Sequence, residues 1–268
     1  MDRELMEVGR MNQMNMYEAI FVRKSVKKFI MEELEQTLLD QIVQFAKELP
    51  LIMDQAEVEY SIISNMDSEK VNSKLLAVNA PYYFIVACDD EPSQWLNAGF
   101  LMEQITLYIA SRGLGSSPLS HTHIKIDQVQ GITKKPVLAL AFGNTNDVMY
   151  RDSRKIHRLP EKEIVVYKTE VSADVKLMIK AARLAPSYLN TQPWRLVVYD
   201  NRIHVFAKKS MLMVDFSYDK KFLDIGVMVA NILLVAEELW IDVQVERMEN
   251  ISSKSFKNNE YVFSIIIK

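Results

Sequence analysis

The sequence predicts an α+β fold made of two related halves, each with a central β-sheet flanked by helices. Three observations lead to this prediction. Apolar residues recur at helical spacing in several segments, and shorter, continuously apolar runs typical of buried strands lie between them. The order of these elements then repeats in the second half of the chain, which indicates an internal duplication.

Composition narrows the functional classes. Of 268 residues, 49% are hydrophobic, which is enough for a substantial core. The net charge of −3 argues against a nucleic-acid-binding protein, which needs a broad basic face. No apolar run reaches the length of about 18 residues that a membrane span needs. The single cysteine, Cys88, cannot form an internal disulfide, so we expect a reducing compartment, the cytoplasm.

The first half begins after residues 1–16, a polar and charged stretch that we expect to be a flexible arm. In 32–49, Leu34, Leu38 and Ile42 fall on one face and predict an amphipathic helix. The sequence then predicts, in order, a strand at 58–64, a short helix at 69–77, a buried strand at 82–88, a long helix at 95–111, a glycine-containing loop at 113–118 and a buried strand at 137–142.

The second half follows a charged connection, 151–168. It is predicted to contain a helix at 173–184, strands at 195–199 and 203–207 joined by a tight turn, a helix at 222–239 and a strand at 261–267. We therefore assign 17–168 to the first half and 169–268 to the second.

Detail within two helices supports the duplication. Residues 98–102 (Ala-Gly-Phe-Leu-Met) resemble 224–228 (Asp-Ile-Gly-Val-Met), each near the start of a long apolar helix. Trp240-Ile241 stands where the first half has Leu114-Gly115, so the second glycine loop is lost. A chance likeness between two amphipathic helices is the alternative.

The first segment with chemical potential is 23–29 (Arg-Lys-Ser-Val-Lys-Lys-Phe), ahead of a predicted helix. Arginine offers a planar fork of donors, lysine a mobile charge and serine a short neutral donor, a combination that suits a phosphate monoester. A solvated basic turn is the alternative.

The second segment is 185–194 (Ala-Pro-Ser-Tyr-Leu-Asn-Thr-Gln-Pro-Trp), between a helix and a strand. The proline ends the helix, and the serine, asparagine and glutamine that follow can each donate and accept hydrogen bonds. Such groups suit the edge of a flavin ring. A structural turn capped by Ser187 and Asn190 is an equally open alternative.

Together the two segments resemble the FMN-dependent nitroreductase family. Tyr-Glu-Ala-Ile at 17–20 followed by Arg23-Lys24-Ser25 is similar to the family's opening, and Ala-Pro-Ser-x-x-Asn-x-Gln-Pro-Trp is its most distinctive string. The resemblance implies phosphate and flavin contacts from Arg23, Lys24, Ser25 and Lys27. It implies that the isoalloxazine is bordered by Pro186, Ser187, Tyr188, Asn190 and Gln192.

Two further stretches extend the resemblance over most of the chain. Residues 113–121 resemble the family's Gly-Leu-Gly-Ser-x-Pro loop, which implies that Ser120 and His121 lie beside flavin N5. Arg158-Leu159-Pro160 resembles a late element that returns an arginine to the phosphate. Arg154 and Lys155 are weaker candidates for the same role.

Departures from the family pattern suggest a single flavin site. The cationic element and the flavin-edge string occur in different halves, and neither half carries both. The chain therefore resembles a single-chain subgroup in which one polypeptide acts as an internal pseudo-dimer. We expect one FMN per monomeric chain.

The function implied by the resemblance is two-electron transfer from NADH or NADPH, through FMN, to a small acceptor such as a nitroaromatic or a quinone. Lys24 and Lys27 are candidates to stabilise the charge of the reduced flavin. The alternatives are a flavin-binding or sensing protein without turnover, and a related flavin reaction such as dehalogenation or flavin fragmentation.

Other reactive residues receive structural interpretations. His121 and His123 could ligate a metal, but no third ligand is near in sequence, so we expect no metal site. Cys88 lies in an apolar run and is interpreted as a buried hydrophobic residue.

Overall fold

Helices and two β-sheets make up the described part of the chain. The computed structural model describes residues 14–54, 56–66, 78–120, 129, 131–209, 218–249, 251 and 258–268. The predicted helix at 69–77 lies outside these residues. Within them, no helix combines the length and the apolar character needed to cross a membrane.

The first sheet is antiparallel and belongs to the first half. Its strands are β1 (Glu59–Ser64), β2 (Tyr82–Cys88), β3 (Gly115–Ser120) and β4 (Lys135–Gly143), in the order β1-β2-β4-β3. Every residue of β2 is buried, because the strand is covered on both faces. The strands predicted at 82–88 and 137–142 are therefore confirmed.

Among the described residues, the helices that accompany this sheet are α1 (Met16–Val22), α2 (Gln36–Glu48) and α3 (Pro92–Ser111). Asn15 caps α1 by accepting a hydrogen bond from the backbone N–H of Glu18, whose side chain bonds back to Asn15. The predicted helices at 32–49 and 95–111 correspond to α2 and α3. Helix α1 begins at Met16, inside the stretch expected to be a flexible arm, and residues 1–13 lie outside the described part.

The second sheet contains β5 (Val165–Tyr167), β6 (Trp194–Tyr199), β7 (Arg202–Lys208), β8 (Val243–Glu246) and β9 (Asn259–Ile267), in the order β5-β6-β7-β9-β8. Strand β5 runs parallel to β6, and the other pairs are antiparallel. The accompanying helices are α4 (Glu161–Ile164), α5 (Ala173–Leu184) and α6 (Tyr218–Glu238). The elements predicted for this half are confirmed, while α4, β5 and β8 were not predicted.

The two halves follow the same path. The strand order β1-β2-β4-β3 of the first sheet is matched by β6-β7-β9-β8 in the second. Helix α2 precedes the first of these strands as α5 does, and α3 separates the two strand pairs as α6 does. The α+β fold predicted from the sequence is confirmed.

Helices α3 and α6 cross at two glycines. A Cβ atom on Gly99 would lie 2.0 Å from the carbonyl oxygen of Leu223, and one on Gly226 would lie 2.1 Å from that of Leu96. Each glycine thus contacts the residue three positions before the other glycine. This reciprocity is the contact pattern of a twofold axis.

Two predicted details at the ends of these helices are wrong. Residues 115–118 form most of β3, because they pair with β4 at the sheet edge, where the missing N–H of Pro118 is tolerated. Trp240 matches Gly113, one residue earlier than predicted. Both residues follow a long helix with positive φ, +59° and +76°, and donate to the residue three positions back.

Candidate functional site

A cleft lies where the two halves meet. Its cavity volume is about 200 Å³, somewhat below the roughly 300–1,000 Å³ that is typical of small-molecule sites. Ser25 and Glu103 line it from the first half, and Ser187, Tyr188 and Asp224 line it from the second. The cleft therefore draws on both of the segments selected from the sequence.

The cationic turn, residues 23–29, reaches this cleft through Ser25, and its Arg23 contacts Glu103, which lines the cleft. Arg23 ends α1, and its guanidinium lies 3.6 Å from the Glu103 carboxylate; the two side chains are 9% and 3% exposed. Lys24 and Lys27 are exposed and do not line the cleft. Their positions therefore do not support the predicted role of stabilising the charge of a reduced flavin.

Glu103 is a buried acid that the sequence reasoning missed. Burial raises the pKa of its carboxyl group, and the nearby Arg23 and Arg158 guanidiniums oppose that rise. A charged residue inside the apolar helix at 95–111 was the signal that could have identified it, because a buried charge is rare without a partner.

Backbone pairing places Arg151 close to Arg23. The chain at Arg23 forms a β-bridge with Tyr150, and the Arg151 N–H donates to the Val22 carbonyl at 2.7 Å. Burial, and after it Arg23, lowers the pKa of Arg151. Its Nε is buried, and no acceptor for it lies among the described residues. Such a donor is well suited to an anion.

Arg158 lies close enough to interact electrostatically with both of these arginines. Burial lowers the pKa of Arg158 to about 10, and the charges of Arg151 and Arg23 add to that effect. Its guanidinium donates to the carbonyls of Leu184 and Ala185 at the end of α5 and to the Asn190 side chain. Arg23, Arg151 and Arg158 are called the arginine group below. Arg158 links this group to residues 185–192 through its hydrogen bonds to Ala185 and Asn190.

The weaker candidates lie elsewhere. Arg154 has a side chain that is 76% exposed and binds both oxygens of the Asp152 carboxylate, and Lys155 is exposed. Arg151, which the sequence reasoning did not select, lies close to Arg23 and Arg158.

The flavin-edge turn, defined here as residues 185–192, is held by its own polar groups. Ser187 Oγ accepts from the Gln192 N–H at 2.9 Å, and the buried Gln192 side chain accepts from the Leu159 N–H at 3.1 Å. Leu189, Asn190 and Gln192 all have positive φ, between 46° and 58°. The Asn190 and Gln192 side chains thus bond within the protein and do not line the cleft, whereas Pro186, Ser187 and Tyr188 do.

The remaining candidates are only partly described. Ser120 ends β3, but its side-chain environment is not described, and His121 and His123 lie outside the described residues. Within the described residues, no group of three His, Cys, Asp or Glu side chains could hold a metal. Cys88 is buried, and burial, followed by the charge of Asp89, raises the pKa of its thiol to about 12.

The chain is similar to nitroreductases in sequence and in fold. The sequence profile of a family described as "Putative TM nitroreductase" matches residues 15–236. A protein of Methanothermobacter thermautotrophicus named "Putative NADH dehydrogenase/NAD(P)H nitroreductase" is 26% identical over 136 residues, which cover 47% of this chain and 71% of that protein. The crystal structure of a putative nitroreductase from Thermotoga maritima superposes with a TM-score of 0.67 at 17% identity, covering 96% of this chain and 95% of that one.

Proposed function

The chain belongs to the family described as "Putative TM nitroreductase", and on that premise we propose that it is an FMN-dependent oxidoreductase that takes electrons from NADH or NADPH. The acceptor is a small molecule, such as a nitroaromatic or a quinone. One observation carries the proposal: Ser25 and Ser187, remote in sequence, line one cleft, and Glu103, which also lines it, pairs with Arg23, one of three partly buried arginines. The family resemblance recognised in the sequence is confirmed, and the cofactor assignment builds on it.

The residues that line the cleft, and the arginines next to Glu103, fit a phosphorylated flavin. Besides burial, Arg23 lowers the pKa of Arg151, both arginines lower that of Arg158, and the Glu103 carboxylate pairs with Arg23. The excess positive charge suits a phosphate dianion, as does the Nε of Arg151, which has no acceptor among the described residues. Pro186, Ser187 and Tyr188 of the flavin-edge turn, which line the cleft, would then border the ring.

A duplicated chain with one site per molecule is part of the proposal. The matching strand orders and the reciprocal contacts of Gly99 and Gly226 support descent of both halves from one ancestral unit. The cationic turn comes from the first half and the flavin-edge turn from the second. One chain therefore supplies both sides of one site and acts as a monomeric pseudo-dimer.

When bound, FMN supplies the redox chemistry, because it accepts a hydride and later delivers two electrons. The protein's residues perform the other tasks. The arginine group binds the phosphate, the turn at Ser187 and Tyr188 orients the ring edge, and apolar residues such as Leu138 exclude water. A cleft open on one side lets donor and acceptor occupy it in turn, so we expect ping-pong kinetics.

The Arg151→Gln variant tests the phosphate assignment. It should weaken FMN binding about tenfold or more, the typical effect of one lost hydrogen bond between charged groups, and leave riboflavin binding unchanged. Fluorescence titration of apo-protein with each flavin measures both constants. Arg154→Gln is the matched control, because Arg154 is exposed and paired with Asp152. Equal weakening of both flavins by Arg151→Gln would contradict the assignment.

Turnover is tested separately. The FMN-loaded protein should oxidise NADH or NADPH steadily when a quinone or nitroaromatic is added, with parallel lines in double-reciprocal plots. A bound flavin that is reduced by dithionite but by neither nicotinamide would instead indicate a binding protein without turnover.

A further inference from the structure

Two buried polar side chains occupy equivalent places on the crossing helices. Asn97 lies two residues before Gly99 on α3, and Asp224 lies two residues before Gly226 on α6. Because each glycine contacts the other's helix in the same way, Asn97 and Asp224 occupy equivalent positions relative to the crossing. Asn97 and Asp224 are 1% and 8% exposed.

Each of these side chains binds the backbone that follows an equivalent helix. Helix α2 ends with Leu49 as its cap and is followed by Pro50, as α5 ends with Ala185 and is followed by Pro186. Asn97 Oδ1 accepts from the Ile52 N–H at 3.0 Å, two residues after the first proline. The Asp224 carboxylate accepts from the Tyr188 N–H at 3.0 and 3.1 Å, two residues after the second.

In the first half, Asn97 holds the turn that follows α2 against α3 through four hydrogen bonds. Asn97 Oδ1 also accepts from the Met53 N–H, and its Nδ2 donates to the carbonyls of Met53 and Ala56 at 2.9 and 2.8 Å. The amide is thus fully used as donor and acceptor, and this turn packs against α3 without lining the cleft.

In the second half, two carbonyls of the turn accept hydrogen bonds from within the turn itself. The Ser187 carbonyl accepts from the Asn190 N–H at 3.0 Å, and the Tyr188 carbonyl accepts from the Thr191 N–H at 3.1 Å. The backbone therefore presents an N–H to α6 at Tyr188, and a carboxylate, which only accepts, matches it. Asp224 also lines the cleft beside Ser187 and Tyr188.

We propose that Asp224 is a positioning residue that holds the flavin-edge turn at the cleft, in the place where the first half uses Asn97 to close the turn. The inference rests on the proposed flavin site. Asp224 acts through the backbone of Tyr188, so its contribution concerns the ring end of the ligand. The phosphate end remains with the arginine group.

The test compares Asp224→Ala, Asp224→Asn and Asn97→Ala by titration of apo-protein with FMN and with riboflavin. Asp224→Ala should weaken both flavins by a similar factor of about ten, because the lost hydrogen bond involves a charged acceptor. Asp224→Asn keeps an acceptor for the Tyr188 N–H and should stay within about threefold of the wild type. Asn97→Ala should lower the melting temperature and leave both flavin affinities unchanged.

The outcomes separate this inference from the proposed function. Wild-type protein that binds neither flavin would overturn the proposed function itself. Wild-type binding together with unchanged affinity in Asp224→Ala would overturn the inference alone. If Asp224→Ala does not fold, Asp224→Asn decides: an affinity loss of tenfold or more there would show that charge, and not positioning of the turn, is what Asp224 contributes.

Discussion

Trp240 occupies a backbone conformation that its first-half counterpart, Gly113, adopts without strain, and exchanging the two residue types has a calculable effect. Trp240 has a φ of +59° and is 95% exposed, so its side chain gains little from burial. Its N–H donates to Glu237, and the next N–H donates to Ala236, as the N–H groups of Gly113 and Leu114 do in the first half. The hydrogen bonds are those of a Schellman helix end, where glycine is preferred.

The Trp240→Gly variant should therefore be more stable than the wild type. A non-glycine residue in the left-handed region costs about 1–2 kcal/mol. The greater entropy of glycine in the unfolded chain offsets about 0.5–1 kcal/mol of that gain. The net expectation is a rise of about 0.5–1 kcal/mol in the free energy of unfolding, or about 2 °C in melting temperature for a chain of this length.

The matched control introduces a side chain at the equivalent position, Gly113. A Cβ on Gly113 would meet nothing within 4 Å, so Gly113→Ala changes backbone strain without introducing a clash. It should lower the free energy of unfolding by about 1 kcal/mol. Urea unfolding of both variants, with unchanged m-values, measures the two effects. A destabilised Trp240→Gly, or a neutral Gly113→Ala, would refute the strain argument.

Two further predictions concern the core and pH. Gly99→Ala places a Cβ 2.0 Å from the Leu223 carbonyl oxygen, so separating the helices should cost at least about 2 kcal/mol in urea unfolding, and wild-type stability would contradict the helix crossing. His204 Nε2 accepts from Arg202 Nε, so its Nδ1–H donates to Ser264 Oγ, and burial followed by Arg202 lowers its pKa. Because the unfolded chain takes up the proton first, the free energy of unfolding should fall as the pH drops below about 6.5. His204→Gln should lose that part of the slope, and an unchanged slope would assign it to other groups.

Buried elements are where sequence and structure agree best. The predicted strand at 82–88 and helix at 173–184 have the same bounds in the structure. Burial requires apolar residues in a continuous run or along one helical face, and both patterns can be read directly from the sequence. The short edge strand β8 was missed, since its four residues alternate between half-buried and exposed and carry a weak signal.

The site was predictable in outline and not in detail. The two segments that meet at the cleft could be found from residue types, but the direction of each side chain could not. Positive φ values carry Asn190 into bonds with Arg158 and His157, where we expected a ring contact. Arg151 was missed because its place depends on the β-bridge between Arg23 and Tyr150, which leaves no local pattern.

We propose that one chain builds one flavin site from both of its halves. Isothermal titration of the apo-protein with FMN is the decisive experiment, because the titration returns affinity and stoichiometry together. We expect one FMN per chain for a protein that sediments as a monomer. Binding of two FMN per chain, or of one FMN per two chains, would contradict it.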